Sequence, residues 1–125
     1  MHDAKDILDV AANSEYDFRC VASPDDPLKH LFDEWVPYYR LQWAIVRVLQ
    51  PRQILEIGVR FGYSAAAFLD ACPDAAYLGI DNDSDTFSGQ KRAIHWARHI
   101  TRGTNAQYLI ADSQQLDGLP GGPMI

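Results

Sequence analysis

Glycine and acidic residues follow three short apolar segments of the chain, and their types suit the binding of a nucleoside. Gly58 and Gly62 follow the first segment, where they allow a sharp turn and a close approach of the backbone to a ligand. Asp81 ends the second segment, and its carboxylate can accept hydrogen bonds from both hydroxyls of a ribose. After the third segment, Asp112 can accept from an exocyclic amine while Ser113 offers a backbone amide to a ring nitrogen, which together would recognise an adenine edge.

From residue 51 onward the chain alternates predicted strands and helices. Composition and apolar periodicity predict five elements, namely strands over residues 53–58, 76–81 and 107–111 and helices over residues 64–71 and 88–101. This alternation favours an α/β fold with right-handed crossovers and a parallel sheet covered by helices on both faces. If the strands lie in the order 3-2-1, the glycine loop and the acidic residues step across about 10 Å of one sheet edge.

The first 50 residues are predicted to be helical. Apolar positions favour a short helix over residues 4–12 and, after a polar loop, a longer helical stretch. Asp26 is followed by proline, which is typical of a helix start because the carboxylate can cap free amides. We expect Pro37 to interrupt the longer stretch. The predicted organisation is a helical segment over residues 1–50 and an α/β segment over residues 51–125.

The motifs at the three strand ends resemble those of class I S-adenosylmethionine-dependent methyltransferases. The matching residues are Glu-Ile-Gly-Val-Arg-Phe-Gly-Tyr-Ser at 56–64, Gly-Ile-Asp-Asn at 79–82 and Ala-Asp-Ser at 111–113. The first motif is closer to the branches that methylate oxygen atoms of small molecules than to enzymes that act on nucleic acids. The resemblance covers about half of the chain. It departs from the commonest motif at Arg60, where a glycine is usual.

The resemblance implies a Rossmann-like fold that binds S-adenosyl-L-methionine as cofactor and transfers its methyl group to a small-molecule acceptor. Glu56 would help to fix the ammonium group of the cofactor, Asp81 would hold the ribose and Asn82 would flank the adenine ring. Ser64 can also cap the following helix. The implied cofactor-binding residues are Glu56, Gly58, Gly62, Ser64, Asp81, Asn82, Asp112 and Ser113.

The predicted sheet is incomplete relative to the seven-stranded sheet of that family, in which a fourth strand pairs beside the first. Residues 119–125 are typical of a turn followed by the start of such a strand, so we expect a truncated chain. Its first strand would be an apolar edge that needs cover from another copy of the chain or from a missing C-terminal segment. In related enzymes the acceptor pocket follows the third strand, so the catalytic residues and the methyl acceptor stay unassigned.

Simpler roles stay open for the same residues. Glu56 could be a strand-end carboxylate that pairs with Arg52 or Arg60, and Asp81 and Asp112 could be turn or capping residues. The alternative to an enzyme is a non-catalytic fragment or interaction module that keeps the fold. A dinucleotide site is disfavoured, because Arg60 stands where the glycine-rich template needs a close backbone approach to a pyrophosphate.

Composition argues against two classes of partner. The chain has 17 acidic and 11 basic side chains and a net charge of −6, which disfavours binding to nucleic acid. The longest apolar run has five residues, too few to span a membrane. Three aspartates occupy the first ten residues, where a secretory signal would be apolar, so we expect a cytoplasmic protein.

Cysteine, histidine and aromatic residues outside the motifs are predicted to be structural. The two cysteines, Cys20 and Cys72, are expected to be buried free thiols. His95 and His99 are one helical turn apart but have no nearby third ligand, so we predict a solvated helix face and no metal site. Four aromatic residues at helical spacing are more typical of a core, although a role over a ligand pocket stays open for them: Trp35, Tyr38, Tyr39 and Trp43.

Overall fold

A computed structural model of the protein describes residues 3–82 and 93–111. Within these residues four α-helices and three strands follow one another in the order α1 (Ala4–Ala12), α2 (Phe32–Leu49), β1 (Gln53–Ile57), α3 (Tyr63–Ala71), β2 (Ala76–Asp81), α4 (Ala93–Ile100) and β3 (Ala106–Ile110). The α/β class is therefore confirmed. The predicted site residues Asp112 and Ser113 lie outside the described residues, as does the first part of the helix predicted over residues 88–101.

The helical stretch before β1 differs from its prediction in two respects. Asp26 does not start a helix: its Oδ1 accepts a hydrogen bond from the Leu28 amide at 2.9 Å, and a 3₁₀ turn at Lys29–Leu31 leads into α2. Pro37 does not interrupt α2 either. It lies early in the helix and is exposed, so the carbonyl that loses its partner, that of Asp33, can be solvated.

The described strands form a parallel sheet with β2 between β1 and β3. Glu56 of β1 lies opposite Gly79 of β2, which in turn lies opposite Tyr108 of β3. At the carboxyl edge the ladder continues beyond β1, because the Gly58 amide donates to the Ile80 carbonyl at 2.8 Å. The strand ends are thus aligned, and the prediction of a parallel sheet is confirmed.

Both crossover helices pack on the same face of the sheet. Ala65 and Leu69 of α3 contact Tyr77 on β2, and α4 reaches Tyr108 of β3 on that same face through Ala97. The expectation that helices cover both faces is wrong for these two. Each new strand is added on the same side of the one before it, so two right-handed crossovers place both helices on one face.

The N-terminal helices extend this layered arrangement. α2 packs on α3, and α1 packs on α2. The largest apolar cluster joins residues from before β1 to residues after it: Phe18, Val21, Phe32, Val36, Phe61, Tyr63, Ala66, Ala67 and Ala93. No helix within the described ranges is long and apolar enough to cross a bilayer.

The cysteines and histidines lie in different surroundings. Cys72 is buried, as predicted, and its Sγ donates to the Pro51 carbonyl at 3.5 Å. Cys20 is exposed, contrary to the prediction, because it lies in a surface turn between α1 and α2. His95 and His99 are exposed on α4, which confirms the solvated helix face.

Gly62 is the point of closest approach between α4 and the loop that precedes α3. Its φ is +83°, and a Cβ placed on it would lie 2.6 Å from the Cβ of Ala97. Gly103 has a similar φ of +78°, but a Cβ there would meet nothing within 4 Å. Comparing a substitution at Gly62 with the same substitution at Gly103 therefore separates the free-energy cost of a left-handed backbone from that of a steric clash.

We expect Gly62→Ala to destabilise the protein much more than Gly103→Ala. The backbone conformation alone costs each variant about 1 kcal/mol. Only Gly62→Ala must also push α4 away, which costs about 2 kcal/mol more. Urea unfolding of both variants measures the difference, and equal losses of unfolding free energy would show that α4 does not pack against Gly62.

Candidate functional site

The loop between β1 and α3, residues 58–62, is bent by three left-handed residues. These are Gly58 with φ +86°, Arg60 with φ +51° and Gly62 with φ +83°. The bend turns two backbone amides toward the end of β2, where the Oδ2 atom of Asp81 accepts from Val59 and from Arg60, each at 2.8 Å. The predicted glycine loop and the predicted ribose-binding carboxylate therefore form one connected unit.

Gly58 leaves space beside the loop. It is exposed, and a Cβ placed on it would meet nothing within 4 Å. Its glycine identity is explained by its positive φ and not by packing within the chain. The backbone at Gly58 is consequently open to a ligand, whereas the close approach at Gly62 is made by α4.

A cavity of about 300 Å³ opens between this loop and α2. Tyr38 and Tyr39 line it, which agrees with the alternative that some aromatic residues of α2 cover a pocket. Trp43 instead lines a separate open cavity and donates its Nε1 proton to Asp70 at 2.9 Å. The lining residues of the 300 Å³ cavity are Tyr38, Tyr39, Gln42, Glu56, Ile57, Gly58, Val59, Arg60, Phe61, Tyr63 and Ser64.

Glu56 brings a half-buried carboxyl group to this cavity. Its Oε1 accepts a hydrogen bond from the Tyr77 hydroxyl at 2.6 Å. Burial raises the pKa of Glu56 from 4.5 to about 7; the hydrogen bond from Tyr77 opposes the rise, and the nearby charge of Asp81 adds to it. Near neutral pH the group is therefore divided between its charged and neutral forms, and a cation in the cavity would favour the charged form.

Ser64 does not cap α3, contrary to the sequence-based expectation. Gly62 occupies the capping position and provides no side chain, while Ser64 lies inside the first turn. From there its hydroxyl donates to Oε1 of Gln42 on α2 at 2.7 Å. Ser64 consequently lines the cavity and joins α3 to α2.

Arg60 is held by contacts on both its backbone and its side chain. Besides the amide bond to Asp81, its guanidinium pairs with Asp26 at 2.9 Å and lies over the rings of Trp35 and Phe61, at 5.8 and 5.1 Å from their centroids. A left-handed conformation costs a non-glycine residue about 1 to 2 kcal/mol, and these contacts offset that cost. This explains how the loop tolerates arginine at a position where the methyltransferase motif that it resembles usually has glycine.

The remaining predicted residues lie at the carboxyl edge or beyond the described part. Asn82 directly follows Asp81 and is exposed. The Asp81 carbonyl accepts from the Ala111 amide at 2.9 Å, so the end of β3 lies beside the end of β2. Asp112 and Ser113 come directly after Ala111 in the chain, outside the described residues. Their proposed contacts with adenine stay predictions.

Three residues of the site were missed from the sequence. Asp26 was interpreted only as a helix start, and Gln42 carried no motif. Tyr77 was assigned only to a strand, although a buried tyrosine hydroxyl needs a partner, and that requirement points to a nearby acceptor such as Glu56. An arginine in place of a loop glycine likewise calls for a carboxylate, but the sequence did not indicate which one.

No family model matches the chain, and no curated protein matches it. Among residues 3–82 and 93–111, no group of three His, Cys, Asp or Glu side chains is placed to hold a metal ion. The interpretation of the site therefore depends on its geometry and on the motif resemblance.

The raised pKa of Glu56 makes stability depend on pH. Between pH 4.5 and about 7 the folded protein binds more protons than the unfolded chain, so the free energy of unfolding falls as pH rises through that range. The loss should reach about 3 kcal/mol and should be absent in Glu56→Gln, which cannot ionise.

Urea unfolding of the wild type and of Glu56→Gln at about pH 5 and about pH 8 measures this effect. Glu15→Gln, at an exposed position, serves as the control and should follow the wild type. Parallel pH profiles for the wild type and Glu56→Gln would contradict the burial of an ionisable group at this position.

Proposed function

We propose that the protein is the cofactor-binding half of an S-adenosyl-L-methionine-dependent methyltransferase that acts on a small-molecule acceptor. In this proposal the three described strands are the 3-2-1 part of a Rossmann-like sheet. The observation that carries the proposal is the connected unit at the sheet edge: a left-handed loop bonded to Asp81, beside a cavity lined by the half-buried carboxyl group of Glu56.

Glu56 supports the placement of the methionine end. A cofactor ammonium group next to Glu56 would compensate for the burial that now raises the pKa of this carboxyl group. Open space at Gly58 allows the ligand to approach the loop backbone. When bound, S-adenosyl-L-methionine would supply a methyl group on a sulfonium for in-line transfer to an acceptor, and Tyr38 and Tyr39 would help to exclude water from that end of the cavity.

Asp81 and its neighbours support the placement of the adenosine end. Asp81 accepts the Val59 and Arg60 amides at Oδ2, and a carboxylate is an acceptor of the kind that ribose hydroxyls need. We assign the ribose hydroxyls to this same carboxylate, with Asn82 beside the adenine ring and with Asp112 and Ser113 at its edge. The loop and the ribose would then share one anchor, so a ligand at this position would depend on the shape of the loop.

A second candidate is a non-catalytic interaction module. Apolar residues favour it, since Ile57 on β1 is 57% exposed and Leu49 on α2 is 60% exposed. In this alternative another copy of the chain, or a further segment, covers the outer edge of β1. The two candidates differ in one property, because the module has no need to bind an adenosine-containing ligand.

Calorimetric titration with two related ligands tests the assignment of Glu56. S-adenosylhomocysteine carries the ammonium group, whereas 5′-methylthioadenosine keeps the adenosine and lacks the amino acid portion. We expect Glu56→Gln to weaken S-adenosylhomocysteine binding about tenfold or more, because it removes a charge-assisted hydrogen bond. The affinity for 5′-methylthioadenosine should stay unchanged.

The exposed Glu15→Gln serves as the matched control and should leave both affinities unchanged. Equal weakening of both ligands by Glu56→Gln would remove the ammonium assignment. Failure of the wild type to bind either ligand would reject the methyltransferase proposal and favour the interaction module.

A further inference from the structure

Asp26 is a buried carboxylate with four hydrogen bonds. It is 1% exposed, and its oxygens accept from the Arg60 guanidinium at 2.9 and 3.3 Å, from the Tyr63 hydroxyl at 3.1 Å and from the Leu28 amide at 2.9 Å. Burying a charge is costly unless it is paired and hydrogen-bonded. Asp26 meets both conditions, and its cationic partner belongs to the loop of the candidate site.

The segment around Asp26 is itself fixed to the helices behind the loop. The Ser23 amide donates to the Tyr63 hydroxyl of α3 at 2.9 Å, and the Val21 carbonyl accepts from Nε1 of Trp96 on α4 at 2.7 Å. Ser23 is buried, and Val21 is part of the main apolar cluster. Residues 21–26 therefore form a rigid support against which the Arg60 side chain is held.

Arg60 is consequently bonded to two carboxylates, one through its backbone and one through its side chain. Asp81 accepts its backbone amide, and Asp26 accepts its guanidinium. A glycine at this position would adopt the left-handed conformation at little cost, but it would offer no side chain to anchor. With Arg60 anchored in this way, the loop has less conformational freedom than it would have with glycine, and its bend is fixed.

We propose that Asp26 is a positioning residue of the cofactor site, acting through Arg60 to fix the bend of loop 58–62. The identity of the ligand at this loop rests on the proposed function, whereas the role of Asp26 in fixing the bend does not. Without Asp26 the loop would sample other conformations, and binding a ligand would then require the loop to be ordered again. Ligand affinity should therefore depend on Asp26 although it lies 34 positions before Arg60 in the chain.

Four substitutions test this inference. Asp26→Asn keeps the shape of the side chain and removes its charge. Arg60→Lys keeps the positive charge and removes the paired N–H donors of the guanidinium. Gly103→Ala destabilises the protein through its left-handed backbone and lies outside the cavity. Asp33→Asn is the matched control, because Asp33 pairs with Arg19 at 2.9 Å on the exposed surface.

Two quantities are measured at a temperature at which every variant is folded: the affinity for S-adenosylhomocysteine and the hydrogen exchange of the Val59 and Arg60 amides. We expect Asp26→Asn and Arg60→Lys to weaken binding about tenfold and to speed exchange of both amides. Gly103→Ala should lower the melting temperature and leave both quantities near their wild-type values. Asp33→Asn should change neither quantity.

The outcomes separate positioning from stability. If Gly103→Ala weakens binding as much as Asp26→Asn does, Asp26 has only a structural role and the inference is overturned. Unchanged exchange of the Val59 and Arg60 amides in Asp26→Asn overturns it as well. If Asp26→Asn fails to fold, the same two readouts on Arg60→Lys decide.

The exchange measurement also distinguishes this inference from the proposed function. A wild type that binds no S-adenosylhomocysteine rejects the methyltransferase proposal, and amide exchange without ligand still shows whether Asp26 fixes the loop. If the wild type binds the ligand but Asp26→Asn binds equally well, only the positioning inference fails.

Discussion

The carboxyl edge of the sheet depends on Asp81. Its Oδ2 accepts the Val59 and Arg60 amides of the loop after β1, and its backbone carbonyl accepts the Ala111 amide after β3. One residue at the end of the central strand thus connects the ends of all three described strands. Backbone amides near a sheet edge need partners, and a single carboxylate satisfies two of them while it sets the bend of the loop.

This arrangement has an electrostatic consequence for the cavity beside the loop. Asp81 contributes negative charge near Glu56, whose carboxyl group is already half-buried and bonded to the Tyr77 hydroxyl. The positive charge of Arg60 is paired with Asp26 on the other side of the loop. A ligand with a cationic end would compensate for the burial of Glu56, so our proposal favours an ammonium-bearing adenosine derivative over an anionic dinucleotide.

Local pattern was enough to predict most elements, because apolar periodicity and turn residues act within a few positions. It was also enough to place Asp81 at a strand end beside a glycine loop. The pattern could not show that α2 continues through Pro37, since solvation of one carbonyl decides that. Neither could it pair Asp26 with Arg60 or direct Ser64 toward α2, because those contacts join elements that are distant in the chain.

We propose that the loop bonded to Asp81 forms the wall of an adenosyl-ligand site. A nitrogen–proton correlation NMR titration of the full chain with S-adenosylhomocysteine tests it most directly. We expect the amide resonances of Gly58, Val59 and Arg60 to shift with a single binding curve, while those of α1 remain in place. Saturating ligand that leaves the loop resonances unmoved, or that shifts only resonances of α1, would contradict the account.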